Sequence, residues 1–169
     1  MPRIPPALRL AVIDRAQRRC EYCQVPQEAE LVEYEVDHIT AGQHGGETTL
    51  DNLAYACFDC NHYKGPNLAS LDPQTGERTW LFNPRLHTWE EHFHLDGGGT
   101  IVPQTPEGRA TARLLCFNLP SRVLQRSYTI AAENSVRLLS KFRSPGETVS
   151  NGAEKEFGGS VLLDEGSLL

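Results

Sequence analysis

The first regular pattern in the chain lies in PPALRLAVIDRAQRR, residues 5–19. Leu8, Val12 and Ile13 recur there at helical spacing with arginines at other positions. Pro5 and Pro6 suit a first helical turn, so the pattern predicts a helix running into Cys20. The period then drops to two. In AELVEYEVDHI, Leu31, Glu33 and Glu35 alternate with Val32, Tyr34 and Val36, which predicts a strand with one buried face. The glycines and small polar residues of AGQHGGETT predict a loop. LAYAC reads as a second short strand, and FDCNHYKG as a helix closed by Gly65-Pro66.

Further along, LDPQTGERTWLFNP carries a turn signal from Asp72-Pro73 to Gly76. LHTWEEHF predicts a short amphipathic helix with Leu86, Trp89 and Phe93 on one side. GGGTIVPQ predicts a loop leading into a short strand. TPEGRATARLLCFNL and PSRVLQRSYTIAAENSVRLLSKFR predict two helices. From Ser144 the composition turns to Gly, Ser and Glu, which predicts a mobile tail. The expected organisation is a module over 1–70, a packed extension over 71–143, and a tail over 144–169.

No apolar run approaches the roughly 20 residues of a membrane helix. Arg9 and Asp14 interrupt what would be the apolar core of a signal peptide, so the expectation is a cytoplasmic protein without a membrane partner. Charge is unevenly placed. Residues 1–20 carry +4, residues 21–108 carry −12, and residues 109–143 carry +6, within a net −6. An acidic middle between basic helices suits carboxylates for a metal with cations beside them for phosphates, or two solvated helix faces. Candidates for phosphate contact are Arg18, Arg19, Arg109 and Arg113, with Arg3, Arg9, Arg15, Arg122, Arg126 and Lys64 beside them. Lys64 also suits the last turn of a helix.

The cysteines form two matched pairs, Cys20-x2-Cys23 and Cys57-x2-Cys60, with Cys116 alone among apolar residues. Two such turns can close a tetrahedral sulfur shell, so a structural Zn2+ is expected in preference to redox chemistry or disulfides. Four thiolates leave no open position, and this metal is therefore not the catalytic one. Cys116 is expected to be a buried inert thiol. His87, His92 and His94 surround Trp89 and Phe93 and suit aromatic packing better than a second metal site. His44, in the loop, reads as a surface residue.

Asp37-His38, Asn52 and Asn61 are nested between and just after the cysteine pairs, as D-H-x13-N-x8-N. CEYC, EVDHI, GGETTLDNL and CFDCNHYK together resemble the HNH endonucleases, specifically the variant with a four-cysteine zinc. LFNPRLHTWEEHF and TPEGRATARLLCFN also resemble segments of a group of small bacterial HNH proteins. The resemblance implies an α+β fold built on a ββα-metal (His-Me finger) core. It implies that His38 is the general base, that Asp37 and Asn61 hold a catalytic divalent ion, and that Asn52 pins the loop orienting His38. It also implies hydrolysis of DNA phosphodiester bonds to 5′-phosphate and 3′-hydroxyl ends.

Asp37 and His38 are adjacent on a strand and point to opposite faces, so the strand must end or bulge there. An amide oxygen at Asn61 favours Mg2+ or Mn2+ over softer metals. His62 is the rival ligand, rotated about 100° from Asn61 on a helix. No helix-turn-helix or repeated finger is present, so sequence specificity is low or comes from a protein partner. The alternative reading is a zinc-stabilised binding module on the same scaffold that does not cut.

Overall fold

The computed structural model describes residues 4–142. The tail expected over 144–169 lies outside the described residues. α1 (Pro6–Arg15) begins with Pro6, where a missing amide costs nothing, and buries Val12 fully. The chain then turns through Gln17 and Arg18, both at positive φ, into the first cysteine pair. That pair sits in a tight hairpin in which Arg19 bridges to Pro26 and Cys20 N–H donates to the Val25 carbonyl at 2.9 Å.

β1 (Glu35–His38) pairs antiparallel with β2 (Leu53–Ala56), in register from Glu35 opposite Ala56 to His38 opposite Leu53. β2 is buried along its length. After Cys57 the chain enters α2 (Phe58–Lys64) at once, giving the expected strand, strand, helix order. The alternation beginning at Leu31 predicted a longer first strand. Leu31 is instead fully exposed, and pairing starts only at Glu35. The Gln27 side chain accounts for the difference. It donates to the Val32 carbonyl and accepts from the Tyr34 amide at 2.6 Å, meeting backbone needs that a strand partner would otherwise meet.

β3 (Ala69–Leu71) and β4 (Arg78–Trp80) form a hairpin around the Asp72 turn, where the sequence had shown only a turn. Asp72 is buried, accepts from Gln74 N and Thr75 Oγ1, and takes both prongs of the Arg109 guanidinium at 2.8 and 2.7 Å. Hydrogen bonding from that guanidinium holds the carboxyl well below the usual carboxylate range. The helix expected over 86–93 shrinks to one turn, α3 (Trp89–His92), and Leu86 is exposed. Phe93 leaves helical geometry to open β5 (Phe93–Leu95) against β6 (Ile101–Pro103). Its ring packs between Phe82, Trp89 and Phe117. Tertiary burial of that ring thus overrides the local helical pattern.

α4 (Pro106–Leu114) is capped by the Thr105 hydroxyl, and α5 (Pro120–Phe142) closes the described chain. One hydrophobic cluster runs from Val12 to Phe117 and joins the ββα unit to the elements after it. The fold is α+β, with three small antiparallel sheets. Cys116, expected to be buried, is half-exposed at positive φ, because the chain reverses there between α4 and α5.

His92 is buried, bonds Thr105 Oγ1 through Nδ1 at 2.6 Å, and packs at a tilt against His87 with centroids 4.6 Å apart. His94 is exposed. Burial first, and then the neighbouring His87, lower the pKa of His92. The unfolded chain therefore binds this proton more readily than the folded one, and the contribution of His92 to stability is lost as pH falls below about 6.5. We expect the melting temperature to drop between pH 7 and pH 5, and His92→Asn, which keeps a partner for Thr105 but does not titrate, to flatten that slope. A variant slope equal to the wild-type one would refute this.

Candidate active site and cysteine cluster

The cysteine cluster is assembled by the first hairpin locking onto β2. Glu21 N–H donates to the Tyr55 carbonyl at 2.9 Å, and the Glu21 carboxylate accepts from Tyr55 N–H at 2.8 Å. Arg15 and Arg85 pair with the same carboxylate. Cys57 stands two residues after Tyr55, so this docking carries Cys20 and Cys23 to Cys57 and Cys60. All four thiols are buried, with their sulfur atoms within 4.8 Å of one another. Cys23 and Cys57 are 3.7 Å apart, against about 3.8 Å for the edge of a tetrahedron with 2.3 Å zinc–sulfur arms. The soft donor set, its burial and its spacing are compatible with a structural zinc.

Arg122 of α5 reaches this cluster from the far side. Its guanidinium is 3% exposed and lies 3.0 Å from Cys60 Sγ and 3.7 Å from Cys57 Sγ, with the Leu115 carbonyl at 2.6 Å. Burial works against its charge, but the thiolates of Cys60, Cys23 and Cys57 outweigh that and raise its pKa. Hydrogen bonds from Cys20, Cys57 and Cys60 hold the Cys23 thiol well below its ordinary range.

About the end of β1 lies the second group of residues. β1 stays in regular register through His38 and stops there, so the strand ends without a bulge. His38 is buried on the same face as Val36, and its Nε2 lies 2.9 Å from Thr48 Oγ1. Asn52 clamps the loop that follows. Its Oδ1 accepts from Thr40 N–H at 2.9 Å, and its Nδ2 donates to the carbonyls of Thr40 at 2.9 Å and Glu47 at 2.8 Å. Gly46 is required at this point, since a Cβ would run into the Thr40 carbonyl and come within 2.8 Å of Asn52 Nδ2.

Glu35 and Asp37 occupy the opposite face of β1 from His38, two residues apart. Asn61 lies against that face, its Nδ2 donating to Glu35 Oε2 at 2.7 Å. His62 points elsewhere: it is exposed and stacks on Phe58. Asn61, and not His62, thus shares a surface with Asp37.

Several of the cations expected to contact phosphate have partners within the protein. Lys64 is 3% exposed, and its ammonium donates to the carbonyls of Ile39 at 2.9 Å, Gly65 at 3.2 Å and His38 at 3.4 Å. Burial lowers its pKa and Asp37 opposes that shift. Arg109 is held by Asp72 and Arg122 by the thiols, while Arg126 is buried on the carbonyls of Gly99 and Phe117. Arg19 pairs with Glu133, and Arg18 with Glu28 on the surface. Arg9 and Arg113 are exposed. The sequence reading passed over Glu35 and Thr48 as site residues and placed Arg122 among the phosphate contacts, not beside the cysteines. Period-two spacing put Glu35 on the Asp37 face, whereas nothing local distinguished Thr48 from Thr49 or Arg122 from its basic neighbours.

Two outcomes follow from this geometry. Arg122→Ala leaves buried thiolates without their cation and is expected to cost about 3–5 kcal/mol in denaturant unfolding; a loss below 1 kcal/mol would contradict the contact. Asn52→Asp keeps the acceptor for Thr40 N–H but removes the donor to two carbonyls. It should destabilise by about 1–3 kcal/mol and raise hydrogen exchange in residues 40–48, despite being nearly isosteric.

Residues 20–67 match the family model described as HNH endonuclease, a span that takes in both cysteine pairs, β1, β2 and α2. No curated protein matches the chain. Among the described residues no helix is long and apolar enough to cross a membrane. The HNH endonuclease model thus matches the part of the chain, residues 20–67, that folds in the strand, strand, helix order and holds the four-cysteine cluster.

Proposed function

We propose that the protein is a metal-dependent endonuclease that hydrolyses DNA phosphodiester bonds to 5′-phosphate and 3′-hydroxyl ends, working in the cytoplasm. The observation that carries this reading is the Asn61–Glu35 hydrogen bond, which fixes α2 across the face of β1 that bears Asp37. Asp37 and Asn61 would hold the catalytic cation. A carboxylate and an amide oxygen are hard donors, so Mg2+ or Mn2+ fits them better than a soft ion. Such a cation supplies Lewis-acid polarisation of the phosphate and neutralises charge on the leaving oxygen.

His38 is the last residue of β1 and projects from the other face than Asp37, so it would take the proton from the attacking water just past the strand end, where pairing stops. With Nε2 engaged by Thr48, Nδ1 is the atom left for that proton, and it has no protein partner among the described residues. The role requires the tautomer in which Nε2–H donates to Thr48 Oγ1 and Nδ1 presents its lone pair. Asn52 keeps Thr40 in place, Lys64 binds the carbonyls at the end of β1, and together they hold the imidazole still. The four-cysteine site takes a structural zinc and stays out of the chemistry, because no coordination position is open.

The test is nicking of supercoiled plasmid by the zinc-loaded chain with Mg2+, with Mn2+ and with neither. Cleavage is expected only with a divalent ion. His38→Ala should lower the rate about 10²–10⁴-fold while zinc content stays the same. Cleavage that survives His38→Ala, or that needs no divalent ion, would overturn the reading.

A further inference from the structure

We propose that Glu35 is a positioning residue that sets the orientation of the Asn61 amide; this rests on the reading of Asp37 and Asn61 as metal ligands. An asparagine side chain offers an oxygen on one side and an NH2 group on the other, and only the oxygen can coordinate a hard cation. A half-exposed amide has little inherent reason to favour one orientation. Glu35 removes the ambiguity. A carboxylate only accepts hydrogen bonds, so the Asn61 atom 2.7 Å from Glu35 Oε2 must be Nδ2.

Oδ1 is thereby turned away from Glu35. It accepts no hydrogen bond among the described residues, so it is left for a cation. Asp37 stands two residues along the same strand on the same face, and its carboxylate is likewise without a hydrogen bond among the described residues. Glu35 therefore acts on the cation through Asn61, by fixing which atom of the amide faces it.

The experiment measures the Mn2+ dissociation constant of the full-length zinc-loaded chain, from the electron paramagnetic resonance signal of free Mn2+. The proteins are wild type, Glu35→Ala, Glu35→Gln, Asn61→Asp and the double variant Glu35→Ala with Asn61→Asp. Glu35→Ala should weaken binding about 10- to 100-fold, the usual cost of removing the partner of a metal ligand. Glu35→Gln, which still offers an acceptor oxygen, should recover most of that loss. In the Asn61→Asp background both oxygens are equivalent and orientation has no meaning, so Glu35→Ala should there leave binding unchanged or tighten it.

Equal weakening in both backgrounds would overturn the proposal by making Glu35 a ligand or a general structural support. Unchanged binding in Glu35→Ala alone would overturn it directly. A wild-type chain that takes up no Mn2+ would instead sink the nuclease reading on which the proposal rests, so the two failures are distinguishable.

Discussion

Four sulfur atoms brought within 4.8 Å of one another impose the constraint on which the rest of the fold depends. As thiolates they repel one another, and in a buried site that repulsion is barely screened. The chain meets the problem with cations from two directions. A metal ion is suited to the centre of the cluster, and Arg122 is seated on its rim at 3.0 Å from Cys60. Because the sulfurs come from the first hairpin and from both sides of the β2–α2 junction, neutralising them fixes three parts of the chain at once. Through Arg122 it also fixes the start of α5.

Around that anchor, the end of β1 is held with more contacts than a strand end ordinarily receives. Lys64 reaches it from α2, Asn52 from the segment before β2, and Thr48 from the intervening loop. Gly46 lets these parts approach without a side chain between them. The result is a histidine whose backbone, ring and following loop are each tied to a different element. A single flexible contact would leave the ring free to rotate, whereas several weak ones from independent directions do not.

The ββα unit was legible in the sequence because its signals are local: period-two alternation, a glycine-rich loop, and a helix closed by Gly65-Pro66. The role of Asn52 as a loop clamp came from the resemblance to the HNH endonucleases, and the cysteine spacing foretold the cluster. What escaped was set by partners distant in sequence. Leu31 continued the alternation, yet Gln27 met the backbone needs that pairing would have met. Phe93 continued a helical pattern, yet its place between three aromatic rings pulled it into β5. Arg109, Arg122 and Lys64 read as surface cations, because a linear sequence shows charge without showing which carboxylate, thiol or carbonyl it will meet.

Those inward-facing cations have a consequence for how the molecule can grip a polyanion. Each phosphate neutralised by a protein cation releases condensed counterions and adds about 0.9 to the steepness of a log–log salt plot for duplex DNA. Lys64, Arg109, Arg122 and Arg126 are engaged inside, which takes about 3.6 from the greatest slope these residues could have provided. Attachment to a nucleic acid would then vary less steeply with ionic strength than the number of basic residues alone suggests.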